Sequence, residues 1–523
     1  MFKNTIVASA LMFALVATAG AQDAKTVISN ASKAMGYDQL KSIEYAGPSG
    51  FEGTAMGQAQ SAARGWPHFT LKNFSRFIDL NTLTGQQTAL RSRPAEPDGQ
   101  LAGGGGLAPV PETQNATAIN ANATWTQKMD VVLSPPGFLK LAASAMDATA
   151  TQRNVNGKKY TVVSFPVEQK APSGVPYTIS GFIDSDNMVA KVETKVEDNL
   201  VGDMLVEQSY SGYKDFAGVK FPTKIVQTRA GLSWTDLTVS DVKANAPAPP
   251  PPPPPQGRGG PGGAAGGAGR GGGAPEGQGR GGPEGGGAPV GGRGGAPPAA
   301  AIGSKKLADG IYLITGGYRS IAVEMKDHIV LLEAPQSEAT TVNIIAEVKK
   351  AIPNKPIKYV VNTHAHADHS GGLRAAAAEG ATIITHESNK PLYEKWFNNP
   401  RTLLMPDSLS QSEKKAKFEY IGEKKILKDL NTVELYHIKA AHSEDMLVAY
   451  LPKIKAVFEA DAFNPPAPNA PAPQTVNGLE RLLADQLDEF KIDYTTIISV
   501  HQPGGGDRDV TKADLLKNIG KGD

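Results

Sequence analysis

The stretch Tyr359-Val360-Val361-Asn362-Thr363-His364-Ala365-His366-Ala367-Asp368-His369-Ser370-Gly371-Gly372 runs from an apolar segment straight into a cluster of three imidazoles and one carboxylate. Residues 357–362 have the composition of a buried strand. If the chain stays extended beyond it, side chains repeat with period two, so His364, His366 and Asp368 turn the same way and His369 turns elsewhere, at the start of the next helix. Ala365 and Ala367 are small enough for the backbone to lie close to a bound ion, and Ser370-Gly371-Gly372 permits a tight turn. Two histidines of such a run can chelate one ion, and the aspartate with its neighbouring histidine can serve a second. A tetrahedral zinc site takes about four ligands, and a catalytic one keeps a position for water. One cluster therefore cannot complete two sites. Further candidates follow predicted strands: His442 after 433–438, Asp461 after 457–459 and His501 after 497–500.

Composition narrows the chemistry. The chain has 523 residues, a formal net charge of +1 and no cysteine. The length suggests two or three domains. A balanced charge gives no reason to expect nucleic acid or an anionic membrane surface as partner. Without cysteine there are no disulfides, thiolate ligands, iron–sulfur clusters or cysteine nucleophile. Any metal must be held by imidazole and carboxylate.

The organisation follows from shifts in composition. Residues 1–21 read as a signal peptide: Lys3 begins it, 6–17 is apolar but too short to span a bilayer, and Ala19-Gly20-Ala21 offers small residues for cleavage. A soluble periplasmic or secreted protein with no membrane-spanning segment after cleavage is the expectation. Residues 22–245 form a first, β-rich (α+β) domain. Helices are predicted at 25–35 and 135–148, the second with prolines at its start. Alternating strands are predicted at 69–80, 160–167, 177–183, 189–196 and 237–242, and 85–122 reads as irregular. The pattern suggests an antiparallel sheet crossed by one or two helices, faintly similar to half-barrel lipoprotein carriers of the bacterial envelope. His68, beside Trp66 and Pro67, reads as packing or surface. Residues 246–303 form a Pro/Gly-rich linker, expected to be disordered because it cannot bury a core. A coil of about 50 such residues reaches roughly 40 Å, so the flanking domains are expected to be loosely tethered. Arg258, Arg270, Arg280 and Arg293 are read as solvated linker residues. Residues 304–523 mix short strands (311–315, 321–325, 329–332, 357–362, 382–385, 433–438, 447–451, 457–459, 497–500) with helices (340–351, 373–378, 479–490), which fits two sheets covered by helices.

The order His-x-His-x-Asp-His, then His, Asp and His, each at a strand end, resembles the metallo-β-lactamase superfamily. The flanks Ala441-His442-Ser443-Glu444-Asp445 and Ala460-Asp461-Ala462-Phe463 agree with that family's wording, and the resemblance covers about residues 304–518. It implies an α/β fold, an αββα sandwich. Carried over by position, one zinc would take His364, His366 and His442, and a second Asp368, His369 and His501. Asp461 would bridge both, as in the glyoxalase II and lactonase branches; the best-known lactamases use a cysteine there. One departure is Glu333, where the family commonly has aspartate.

The resemblance implies two Zn2+ ions, with iron or manganese as alternatives, and an exported hydrolase of a small-molecule ester, thioester, lactone or β-lactam. Zinc lowers the pKa of bound water from about 16 to about 7. A metal-bound hydroxide would attack the electrophilic centre, with Asp368 orienting it and passing its proton to the leaving group. Neutral histidines are needed for binding, so activity is expected to disappear below about pH 5. Two other readings stand beside this one: a non-catalytic metal-binding or carrier protein of the envelope, and a di-iron oxidoreductase on the same fold. His437 is read as strand packing, His386 as a loop or helix cap, and His328 beside Asp327 as a turn. Residues 390–417 and 464–476 are expected to wall the substrate pocket.

Overall fold

The computed structural model of the chain describes residues 23–54, 56–59, 61–93, 110–252, 302–471, 473 and 476–521. The expected signal peptide, most of the Pro/Gly linker and its four arginines lie outside these residues.

The N-terminal region is a twelve-stranded sheet whose strand pairs are all antiparallel. Two helices pack on it. Ala24–Met35 starts at Asp23, whose carboxylate accepts from Lys25 N and Thr26 N, and stops at Gly36 in the left-handed conformation. Pro135–Ser144 is capped by Ser134, with proline in its first turn. Their apolar faces, including Val27, Ile28, Ala31, Met35, Phe138 and Leu139, join the sheet's core.

Two readings of this region need correction. Residues 85–122 are not irregular throughout: Thr84–Arg93 and Val110–Ile119 are paired strands. Val110–Ile119 is the sheet's edge and has no buried residue. A strand wetted on both faces has no apolar alternation to read. Residues 237–242 are not one strand either. Leu232–Thr238 and Asp241–Ala244 both pair with Ser42–Gly53, separated by a break.

The C-terminal region has two sheets. Seven strands from Gly303–Ala308 to Lys417–Ile421, and six from Lys424–Lys428 to Val510–Thr511, lie in sequence order. Between the sheets, Val330, Leu332, Val361 and Ile384 meet Val433, Leu435, Leu447 and Phe458. The alternate residues Leu331, Val360 and Ile383 face outward against Ile344 and Val348 of helix Glu338–Ala351. Helix Gly478–Glu489 covers the other sheet through Leu483 and Leu487. Strands buried on both faces explain the unbroken apolar runs.

The two regions are not loosely tethered, which corrects the expectation drawn from the linker. One continuous core includes residues of both. Trp66 lies parallel to Trp396, ring centroids 6.1 Å apart and planes 1° apart. Asp203 accepts from Thr402 Oγ1 (2.7 Å), Thr402 N (3.0 Å) and Leu403 N (3.0 Å). Asn399 Nδ2 donates to Val201 O at 2.9 Å, and Arg401 Nη2 to Asn199 O at 2.7 Å. A flexible linker limits only the covalent path, whereas buried surface complementarity decides docking. Within 390–417, residues 395–403 are thus built into this interface, while Asp407 and Ser408 bind Arg374 and Glu338 of their own domain.

Candidate metal centre

The strand Ile357–Val361 lies parallel to Ile329–Leu332 and to Thr382–His386. Beyond its C-terminal end the chain leaves the ladder, at the edge of an open sheet where ligands of such folds commonly bind. Asn362, fully buried, controls the departure: its Nδ2 donates to His364 O (2.7 Å) and His369 O (3.3 Å), and its Oδ1 accepts from Tyr393 Oη (2.6 Å). His364 and His366 are on the extended part. The period-two expectation then fails, because a short helix, Ala367–Ser370, begins immediately. His366 O accepts from His369 N and Ser370 N, both at 2.9 Å. Asp368 is thereby turned away from His364 and His366 and grouped with His369.

The seven candidate residues lie in two groups that share one member. His364, His366, His442 and Asp461 form one; Asp368, His369, His501 and Asp461 form the other, with donor atoms of each group within 4.8 Å of one another. Asp461 divides its two oxygens between them. Its Oδ2 is 3.5 Å from His364 Nε2, 3.1 Å from His442 Nε2 and 4.0 Å from His366 Nδ1. Its Oδ1 is 2.7 Å from His501 Nε2 and 3.4 Å from His369 Nε2. Asp461 sits just past strand Ala456–Glu459 at φ 62°, a left-handed backbone that few residues other than glycine, asparagine and aspartate adopt readily. His442 is carried by the loop after Thr432–His437, pinned where Leu447 N donates to Thr363 O at 2.8 Å. His501 follows Thr496–Ser499 and bridges to Tyr318.

Several supporting residues have no local signature in the sequence. Glu333, fully buried at φ 74°, faces His369 Nδ1 at 2.8 Å and accepts from Thr363 N and Thr363 Oγ1, both at 3.0 Å. Holding Nδ1 of His369 fixes the ring so that Nε2 faces the shared aspartate. The longer glutamate fills the place where aspartate is usual in the resembling family. Tyr318 Oη donates to Asp368 Oδ2 at 3.0 Å. Gln58, from the N-terminal region, donates through Nε2 to Asp368 Oδ1 at 3.2 Å.

The donor set fits divalent cations. His364 Nε2, both ring nitrogens of His366, His369 Nε2, His442 Nδ1, His501 Nε2 and Asp461 Oδ1 are buried without a hydrogen-bond partner. The 2.7 Å contact of His501 with Asp461 lacks hydrogen-bond alignment. Orphaned donors and acceptors at this density are costly unless something coordinates them. Burial, then His369, pushes His364 down to about 3. Burial, then His364 and His442, drives His366 well below the ordinary range. Both imidazoles are neutral at pH 7, the form that coordinates. His369 is shifted the other way: burial lowers it, but Asp368 and Asp461 outweigh burial and raise it well above the usual value. One buried and one partly buried carboxylate thus call for positive charge, from a proton or from a metal ion.

The remaining histidines are placed elsewhere. His386 Nδ1 caps the turn by accepting from Ser388 N at 3.3 Å, and its ring stacks on His437 at 3.8 Å. His68 is exposed, beside Phe51. His328 contacts Asp327 at 2.5 Å on an exposed turn. In residues 464–476, Pro465 O accepts from Gly504 N at 2.8 Å and Pro466 O from Arg508 Nη2 at 2.8 Å, which joins this segment to the loop after His501.

The metallo-beta-lactamase superfamily pattern matches residues 329–397. Three solved structures are similar to the chain at a TM-score of 0.33. The DIM-1 metallo-beta-lactamase is 17% identical, with 42% of this chain and 97% of that one covered. A metallo-beta-lactamase from Pontibacter korlensis is 16% identical, with 42% and 98% covered. The mono-zinc form of FIM-1 from Pseudomonas aeruginosa is 16% identical, with 43% and 96% covered. The matched residues lie within the C-terminal domain and span its strands from Ile329–Leu332 to Thr382–His386, so this part of the helix-flanked pair of sheets is similar to the metallo-β-lactamase superfamily. The sheet domain before it is β-rich and is not assigned to a family.

Proposed function

We propose that this chain is a hydrolase that binds two metal ions, most consistent with zinc, and cleaves an ester, thioester, lactone or β-lactam. The observation that carries the reading is the division of Asp461, one oxygen toward three histidines and the other toward His369 and His501. A lone structural zinc would need one closed tetrahedron, not two groups joined by a carboxylate. His364, His366 and His442 would hold one ion; Asp368, His369 and His501 the other. The bound ions supply Lewis acidity and a water of lowered pKa.

The chain's own residues supply the rest. Asp368 is held well below the usual carboxylate range; burial opposes this, but His369 outweighs it. It is therefore ionised at pH 7 and able to accept a proton at Oδ2, the oxygen that faces His369 and His501. Tyr318, donating to that same oxygen, orients it. Export is part of the proposal and rests on the composition of residues 1–21. Among the described residues no helix is long and apolar enough to cross a membrane.

The test is metal analysis of the purified chain and of His366→Ala, run beside chromogenic esters, lactones and a cephalosporin. Two equivalents of metal, a deficit in the variant and turnover of one class support the reading. Metal without turnover of any class would favour a binding protein, and redox-active iron an oxidoreductase.

A further inference from the structure

Among the described residues, the N-terminal sheet domain reaches the metal centre through the loop that joins strands Ser42–Gly53 and His68–Asp79. This loop is a built element. Thr54 N donates to Pro67 O at 2.9 Å, and Gly65 N to Ser61 O at 3.0 Å. Ser61 Oγ accepts from Arg64 N at 3.1 Å, and Arg93 Nη2 donates to Thr54 Oγ1 at 2.8 Å. Its base is anchored by Trp66, 1% exposed, which donates to Arg229 O at 3.0 Å and stacks on Trp396.

The tip touches both ligand-bearing loops. Gly57 O accepts from Ala367 N at 2.7 Å, between ligands His366 and Asp368. Arg64 Nη1 donates to Ala441 O at 3.1 Å, next to ligand His442. Gly57 is required for this approach: its φ is +80°, and a Cβ there would lie 2.6 Å from Ala367 Cβ. Gln58 then places its amide on Asp368 Oδ1 at 3.2 Å. A carboxylate only accepts, so the amide must present its NH2 to it. The contact occupies the oxygen turned away from His369 and His501, which leaves Oδ2 toward the centre.

We propose that Gln58 is a positioning residue for Asp368, so that the N-terminal domain completes the half of the centre built from Asp368, His369 and His501. The proposal rests on the two-ion reading. Hydrogen-bond partners of metal ligands fix the ligand's orientation, and their loss costs about 10–100-fold in metal affinity. The amide bond acts on Asp368 alone, so the group built from His364, His366 and His442 keeps its affinity.

The experiment is a competitive Zn2+ titration of the chelator-stripped full chain. Fewer than two ions on the unmodified chain sinks the two-ion reading itself, whatever Gln58 does. Given two, Gln58→Met, which keeps length but has no donor, should weaken one ion by about tenfold or more and leave the other unchanged. Gln58→His, whose Nε2–H reaches about as far, should recover most of the loss; a merely structural role for the side chain would not be rescued by a donor. Wild-type affinity for both ions in Gln58→Met, equal weakening of both, or absence of rescue overturns the proposal. If Gln58→Met does not fold, Gln58→Asn, which withdraws the amide by one methylene, is read by the same two affinities.

Discussion

The two halves of the centre share Asp461 but differ in their access to solvent. His364, His366 and His442 are wholly buried. In the other half, the side chains of Asp368 and His501 are 26% and 29% exposed. The first half is built from the loop from 362 to 370, the loop before Leu447 and the end of strand Ala456–Glu459, and the N-terminal domain meets these loops at backbone atoms, Ala367 N and Ala441 O. The second is partly open to solvent and takes a hydrogen bond from another domain. A wholly buried group of three imidazoles suits an ion held firmly. A partly open group containing an ionised carboxylate suits the place where water and substrate arrive. Both roles are inferred from access and charge.

The comparison can be broken most directly at its shared member. Asp461→Ala should remove both ions and take hydrolysis to background, measured by metal content and turnover; loss of only one ion would show that the halves are not joined through this side chain. The next effect is on stability. Trp66→Ala opens the interface beside the loop of residues 54–67 and should cost about 3–5 kcal/mol, read from denaturant unfolding. If it also loosens the ion held by Asp368, His369 and His501 more than the other, domain docking supports the open half alone. An unchanged unfolding midpoint would mean the stacked pair contributes nothing to docking.

The smallest effect is a pH dependence outside the centre. Burial, then His437, pushes His386 down to about 4, against about 6.5 in an unfolded chain. Between these values the unfolded chain binds the proton and the folded one does not. The contribution to stability is therefore full above about pH 6.5 and is lost as pH falls toward 4. His386→Gln should flatten the dependence of the melting temperature on pH in that window, without changing metal content at pH 7. An equally steep dependence in the variant would assign the effect to other groups.

The linker shows how composition can mislead about contact. Its prolines and glycines speak only for the covalent tie between the two domains. The holding is done by Trp66 on Trp396, by Asp203 on residues 402–403, and by one core common to both regions. Segment 390–417 was read as a pocket wall because it lies near the ligands in sequence. Trp396, Asn399, Arg401 and Thr402 find partners on the other domain, while Tyr393, Asp407 and Ser408 bind Asn362, Arg374 and Glu338 of their own. The strands at 84–93 and 110–119 escaped notice for a related reason: a periodic pattern exists only where one face is buried.

From the amino-acid order alone came the ligand types, their sequence positions after predicted strands, and most elements of the C-terminal sandwich. Such features are local, because a buried strand must be apolar and a metal held without thiolate must use imidazole and carboxylate. The short helix at Ala367–Ser370, the division of the two Asp461 oxygens between the groups and the grip of Glu333 on His369 are seen only in the fold. So is the arrival of Gln58 at Asp368 from 310 residues away. Each of these depends on where separate strand ends and loops meet in space, and packing across that distance leaves no periodic trace along the chain.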